Sequence, residues 1–82
     1  MKPIVFTRHA ETVAAERGLE REWIERTVRE PDLAEPDPSR TGVTRAFRSV
    51  PERGGRVLRV AFVDDADEIR VLTAFLDRSR SR

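Results

Sequence analysis

The chain has 82 residues and a formal net charge of +1. That length fits one domain, which buries only roughly 60–65% of the surface its unfolded chain exposes. With no cysteine and a single histidine, it has neither a disulfide framework nor the ligands of a structural zinc site. No apolar run approaches the ~20 residues of a membrane span, and the N-terminal run is too short for a signal peptide, so a cytoplasmic protein is expected.

In chain order, the apolar run at residues 3–6 reads as a short strand, with Pro3 at its start or at a sheet edge. Thr7 is placed to cap a helix over residues 8–17. Ala10, Val13, Ala14 and Arg17 follow at helical spacing, and Gly18 fits the left-handed position that ends such a helix. A second helix is predicted from about residue 20 to the residue before Pro31. Trp23, Ile24, Thr27 and Val28 form its apolar stripe. Its other side offers Arg21–Glu25, Glu22–Arg26, Glu25–Arg29 and Arg26–Glu30 pairs at i,i+4, a solvated charged face. Only Gly18 and Leu19 separate the two helices, which therefore form a tight hairpin.

The segment "PDLAEPDPSRTG" is loop-like, with a short edge strand at residues 33–35. The apolar period then changes from 3.6 to 2. Residues 43–50 form a strand, "PERGG" a turn, and residues 56–63 a second strand that places Leu58, Val60 and Phe62 on one face and Arg59 on the other. After the turn "DDAD", residues 68–76 form a third strand, apolar on both faces and therefore central. The expected class is α+β: an N-terminal strand and a two-helix hairpin packed on an antiparallel meander. One domain spans residues 1–77, and residues 78–82 are read as a disordered basic tail.

Standard site chemistry is largely missing. Gly54-Gly55 lies in a hairpin turn and does not open a helix, so it is no phosphate loop. Asp64, Asp65, Asp67 and Glu68 crowd a turn without the spacing of a calcium loop. Neither a metal nor another cofactor is expected. The clearest signal is the distribution of charge. Residues 1–39 carry six bases and nine acids, and residues 40–82 carry ten bases and six acids, a shift from −3 to +4. Every base but Lys2 is arginine, the residue suited to bidentate phosphate recognition.

Arg45 and Arg59 are candidates for one face of the meander. Arg48 points opposite to Arg45, and Arg53 and Arg56 flank the intervening turn. Together they make a candidate phosphate-binding surface; arginines that merely keep a sheet face solvated are the plain alternative. His9 follows the first strand by three residues, so it should lie near the sheet. Its imidazole then either hydrogen-bonds to nearby backbone or opens into a groove beside the basic face, where it would act as a general acid or base. A surface residue with no role is the third outcome.

His9-Ala10, then Glu16-Arg17-Gly18-Leu19, a helix ending at Pro31-Asp32 and a meander ending in "VLTAF" resemble a bacterial family of small uncharacterised domains related to the RelE/ParE-type toxins of type II toxin–antitoxin systems. The stretch "GGRVLRVAFVDDADEIRVLTA" is similar to BrnT toxins of the same broad group. The resemblance covers about residues 4–76. It implies a RelE-like fold and a toxin-like, metal-independent endoribonuclease that acts on RNA, including messenger RNA on the ribosome, with the substrate's 2′-hydroxyl as nucleophile. It also implies a cognate antitoxin as partner. On this reading Arg45 and Arg59 clamp the phosphate, His9 transfers the proton, Thr73 supplies a hydrogen bond, and Arg48, Arg53 and Arg56 bind RNA. The chain contains no tyrosine, a residue such enzymes often use. A non-catalytic RNA- or protein-binding module of the same fold is therefore the alternative.

Overall fold

The computed structural model describes residues 2–80. The chain runs β1 (Ile4–Phe6), α1 (Arg8–Glu16), α2 (Arg21–Arg29), β2 (Leu33–Pro36), β3 (Thr44–Val50), β4 (Arg56–Asp64) and β5 (Ile69–Asp77). Short 3-10 turns at Pro51–Arg53 and Arg78–Arg80 follow β3 and β5. Of the tail expected to be disordered, residues 78–80 form this second turn, and residues 81–82 lie outside the described residues.

Thr7 starts α1 as anticipated. Its Oγ1 accepts the Ala10 N–H at 3.0 Å and its own N–H donates to the Val71 carbonyl at 3.1 Å, so one residue caps the helix and ties it to β5. Thr7→Ala removes the cap and is expected to cost about 1 kcal/mol, read as a shift of the urea midpoint at unchanged slope. Gly18 ends the helix at φ 66°. The Leu19 N–H reaches back to Ala14 O at 2.9 Å and the Gly18 N–H to Ala15 O at 3.3 Å, the paired bonds of a Schellman turn. That turn drops Leu19 into the core at 6% exposure.

In α2 the expected stripe is the packed one. Ile24, Thr27 and Val28 are buried and Trp23 packs against the core. The buried Thr27 hydroxyl donates to Trp23 O at 2.9 Å, which satisfies it within the helix. Of the expected surface pairs, Arg21–Glu25 forms at 3.0 Å. Arg26 instead makes a two-pronged contact with Glu52 in the turn after β3, at 2.9 and 3.2 Å.

The five strands form one sheet in the order β1-β5-β4-β3-β2. The meander is antiparallel, but β1 runs parallel to β5, so the sheet is mixed where an antiparallel one was expected. The helical hairpin carries the chain across one face before β2 begins, and this crossover leaves β1 as a parallel edge. Leu58, Val60 and Phe62 join Ala10, Ala14 and Ile24 in the core, so both helices cover this inner face. Among the described residues no helix is long and apolar enough to cross a membrane.

Two features of β5 position the site. Ala61 faces Thr73 while Phe62 faces Val71, so Leu72 is an extra residue that forms a bulge. In addition, β1 pairs only with Ile69–Val71, and the edge of β5 beyond Val71 is left without a strand neighbour on that side.

Candidate functional site

Arg45, Arg59 and Thr73 share the outer sheet face. Arg45 stands opposite Ala61, which stands opposite Thr73, and in the next row Phe47, Arg59 and Phe75 are aligned across β3, β4 and β5. Both arginines have carboxylate partners. Arg45 pairs with Glu35, its register neighbour on β2, and Arg59 pairs with Asp77 at 3.5 Å. Both also cover aromatic rings. Their guanidinium carbons lie 5.9 and 6.0 Å from the Phe47 centroid, and that of Arg59 lies 4.8 Å from Phe75. Phe47 is only 2% exposed although it lies on the sheet face opposite the two helices, and the guanidiniums of Arg45 and Arg59 are among the groups that approach its ring. Arg48 is on the other face, where its guanidinium donates to the Glu30 carbonyl at the end of α2. It closes that helix C-terminus and takes no part in the outer face.

A different set of arginines converges at the end of the sheet near the β3–β4 turn. Arg17, Arg53, Arg56 and Arg78, with Leu19, Phe75 and Leu76, line an open cleft of about 300 Å³. Each wall has a local cause. The Schellman turn places Arg17 beside the open edge of β5, where its Nη1 donates to Ala74 O at 2.8 Å. The 3-10 turn after β3 ends in Gly54 and Gly55 at φ 68° and 80°, a reversal that favours glycine, and it sets Arg53 and Arg56 on either side. Arg53 reaches toward Gly18 O at 3.4 Å. The Arg78–Arg80 turn is held by Ser79, whose N–H and Oγ donate to Asp77 Oδ1 at 2.9 and 2.6 Å, and this turn brings Arg78 to the rim. Among the described residues, no carboxylate lines the cleft. In a chain of net charge +1, four arginines lining one cleft create a local positive potential that attracts anions.

A family described as a domain of unknown function (DUF4258) matches residues 6–76. The chain belongs to this family. No curated protein matches it. The DUF4258 match runs from the last residue of β1 to the penultimate residue of β5, and so takes in all of the cleft lining except Arg78.

Within this DUF4258 domain the expected site residues divide into separate places. Arg53 and Arg56 are in the cleft. Arg45, Arg59 and Thr73 lie on the outer sheet face, and Arg48 lies at the end of α2. His9 is in the first turn of α1 and exposed; its imidazole makes no hydrogen bond to another described residue, and it is not among the described residues that line the cleft. Arg17 and Arg78 were not among the expected residues. The available signal for Arg17 was its place as the last residue before a helix-ending glycine. Among the described residues, no group of three or more His, Cys, Asp or Glu side chains could hold a metal ion.

Asp77 is the buried acid beside the site, 8% exposed. The Ser79 hydroxyl, then the Ser79 N–H and Arg59, hold its carboxyl below the usual range, against the opposing effect of burial. A depressed folded pKa adds stability that is present above the unfolded value of about 3.9. That stability is lost as pH falls through the folded value. Asp77→Asn should therefore flatten the acid limb of a stability–pH curve measured by urea melts. A limb as steep as the parent's would show that Asp77 carries none of it.

Proposed function

We propose that the protein is an RNA-binding domain with a RelE-like, toxin-related fold, and that RNA phosphates dock among Arg17, Arg53, Arg56 and Arg78. The observation that carries this reading is that four arginines line one cleft with no carboxylate among its described lining residues. Guanidiniums engage phosphate oxygens in bidentate, charge-assisted pairs. By contrast, Arg45 and Arg59, the clamps expected from the toxin resemblance, already have acidic partners. The order of elements, a strand followed by a helical hairpin on one face of a meander, supports the RelE-like assignment.

Cleavage is the second reading, favoured by the exposed imidazole of His9. Attack by a 2′-hydroxyl needs a group that accepts its proton within hydrogen-bond reach. The lining offers only arginines and apolar side chains, so the geometry supports binding further than catalysis. An antitoxin-type partner that covered this end of the sheet would compete with RNA.

The test is fluorescence anisotropy of a labelled RNA oligonucleotide in EDTA across a salt series, with the RNA examined on a gel afterwards. Binding at about 50 mM salt that weakens linearly in log–log form, with intact RNA, is the expected result. Cut RNA in EDTA, abolished by His9→Ala, would restore the ribonuclease reading. No binding at low salt would end both.

A further inference from the structure

We infer that the cleft accepts a single RNA strand and that Phe75 is the platform on which one unpaired base stacks. This rests on the RNA reading above and adds to it the form of RNA that is selected. The aromatic residues sort clearly. Phe62 is buried in the core and Phe47 is 2% exposed. Phe6 lies under the Arg21 guanidinium at 4.0 Å, and Trp23 packs against the helix-side core. Phe75 alone among them lines the cleft, and it is partly exposed.

The ring is held in place. The Arg59 guanidinium lies 4.8 Å from its centroid and is itself anchored by Asp77 at 3.5 Å. Arg59 is thus a positioning residue for Phe75, although it was expected to clamp phosphate. Arg17 stands 6.0 Å from the same centroid, fixed to Ala74 O at 2.8 Å, and its remaining N–H groups are available to a phosphate beside the ring. Arginines beside a partly exposed aromatic ring in one cleft is the combination by which single strands are held, the cations tracking the backbone and the ring taking a base. A duplex hides the faces of its bases and offers such a ring nothing. The volume of about 300 Å³ lies at the small end of ligand pockets, which suits one nucleotide rather than a helix.

The experiment compares a labelled ten-nucleotide RNA with the same strand annealed to its complement, at about 50 mM salt. Wild-type protein should bind the single strand about tenfold more tightly than the duplex. Phe75→Leu should weaken single-strand binding by about tenfold and leave the salt slope unchanged, because a stacked base is lost and no phosphate contact is. Phe75→Trp should retain the affinity. Its emission should be quenched by the single strand but not by inorganic phosphate, whereas the parent, with Trp23 alone, should not respond. Equal affinity for duplex, or an unchanged Phe75→Leu, would overturn the inference while leaving RNA binding in place. If wild-type protein binds no RNA, the RNA reading falls and this inference falls with it. Should Phe75→Leu not fold, the wild-type comparison and the tryptophan variant still decide the matter.

Discussion

Replacing Arg53 and Arg56 together by glutamate is expected to reduce RNA affinity on the order of 100-fold at low salt. Two guanidiniums leave the cleft and two carboxylates enter it, so attraction gives way to like-charge repulsion around the phosphate. The salt dependence carries the more specific signature. Each phosphate contact on a single strand contributes about 0.7 to the log–log slope, so losing two should reduce it by about 1.4. Arg53 ends the turn and Arg56 opens β4, both half-buried at the edge of the domain, and single changes at such surface positions usually stay within about 0.5 kcal/mol each. Two such changes total about 1 kcal/mol, so the melting temperature should move by no more than about 8 °C. The control is Arg48→Glu, on the other sheet face against the end of α2, which should lower stability more than RNA affinity. Arg48→Glu changes the net charge by half as much, so a loss from it half as large on a logarithmic scale as that of the double change would mean that binding follows overall charge and not the cleft.

Leu58→Ala is expected to give the largest loss of stability of any single change considered. Leu58 is 0% exposed and lies on β4 facing the helices, in the same cluster as Ile24, Val50 and Ala74. Truncating a fully buried leucine costs about 3 kcal/mol, partly through lost transfer energy and partly through the cavity left behind. For a domain of this size that corresponds to a fall of about 12–24 °C in melting temperature, measurable by circular dichroism. Proteins have only about 5–15 kcal/mol in total, so this one change removes a large share of the stability. A fall of less than about 1 kcal/mol would mean that the helical hairpin does not pack on this face.

Much of the fold is written locally. Thr7 and Gly18 bound α1 because a hydroxyl cap and a left-handed turn act over a few residues. The Trp23–Val28 stripe and the Leu58/Val60/Phe62 face were legible because each follows the period of its own element. What could not be read depends on pairing between distant segments. A three-residue β1 holds too little pattern to specify a partner or a direction. The bulge at Leu72 is hidden in a strand that is apolar on both faces. The carboxylate partners of Arg45 and Arg59 are ten residues before and eighteen residues after them, set by cross-strand register. The local charge pattern pointed Arg26 toward Glu22 and Glu30, yet it reaches Glu52, 26 residues away.

The candidate site follows the same division. Arg53 and Arg56 were legible as arginines flanking a glycine turn. Their meeting with Arg17 and Arg78 was not, because it requires the Schellman turn, the short β1 and the Ser79–Asp77 turn to bring three separate segments to one end of the sheet. Alternation put Arg45 and Arg48 on opposite faces and left open which of them joins Arg59; the register sets Arg45 beside it. The acidic partners of Arg45 and Arg59 turn them from free clamps into side chains that cover Phe47 and support Phe75.

The most direct test of the central claim is a backbone amide NMR titration of the 82-residue chain with a short RNA strand in EDTA. The largest shift changes should fall at Arg17, Gly18, Leu19, Arg53, Arg56, Phe75, Leu76 and Arg78, and they should shrink as salt is raised. Changes concentrated instead on the exposed face of α2, around Glu22 and Glu25, or no changes at low salt, would contradict it.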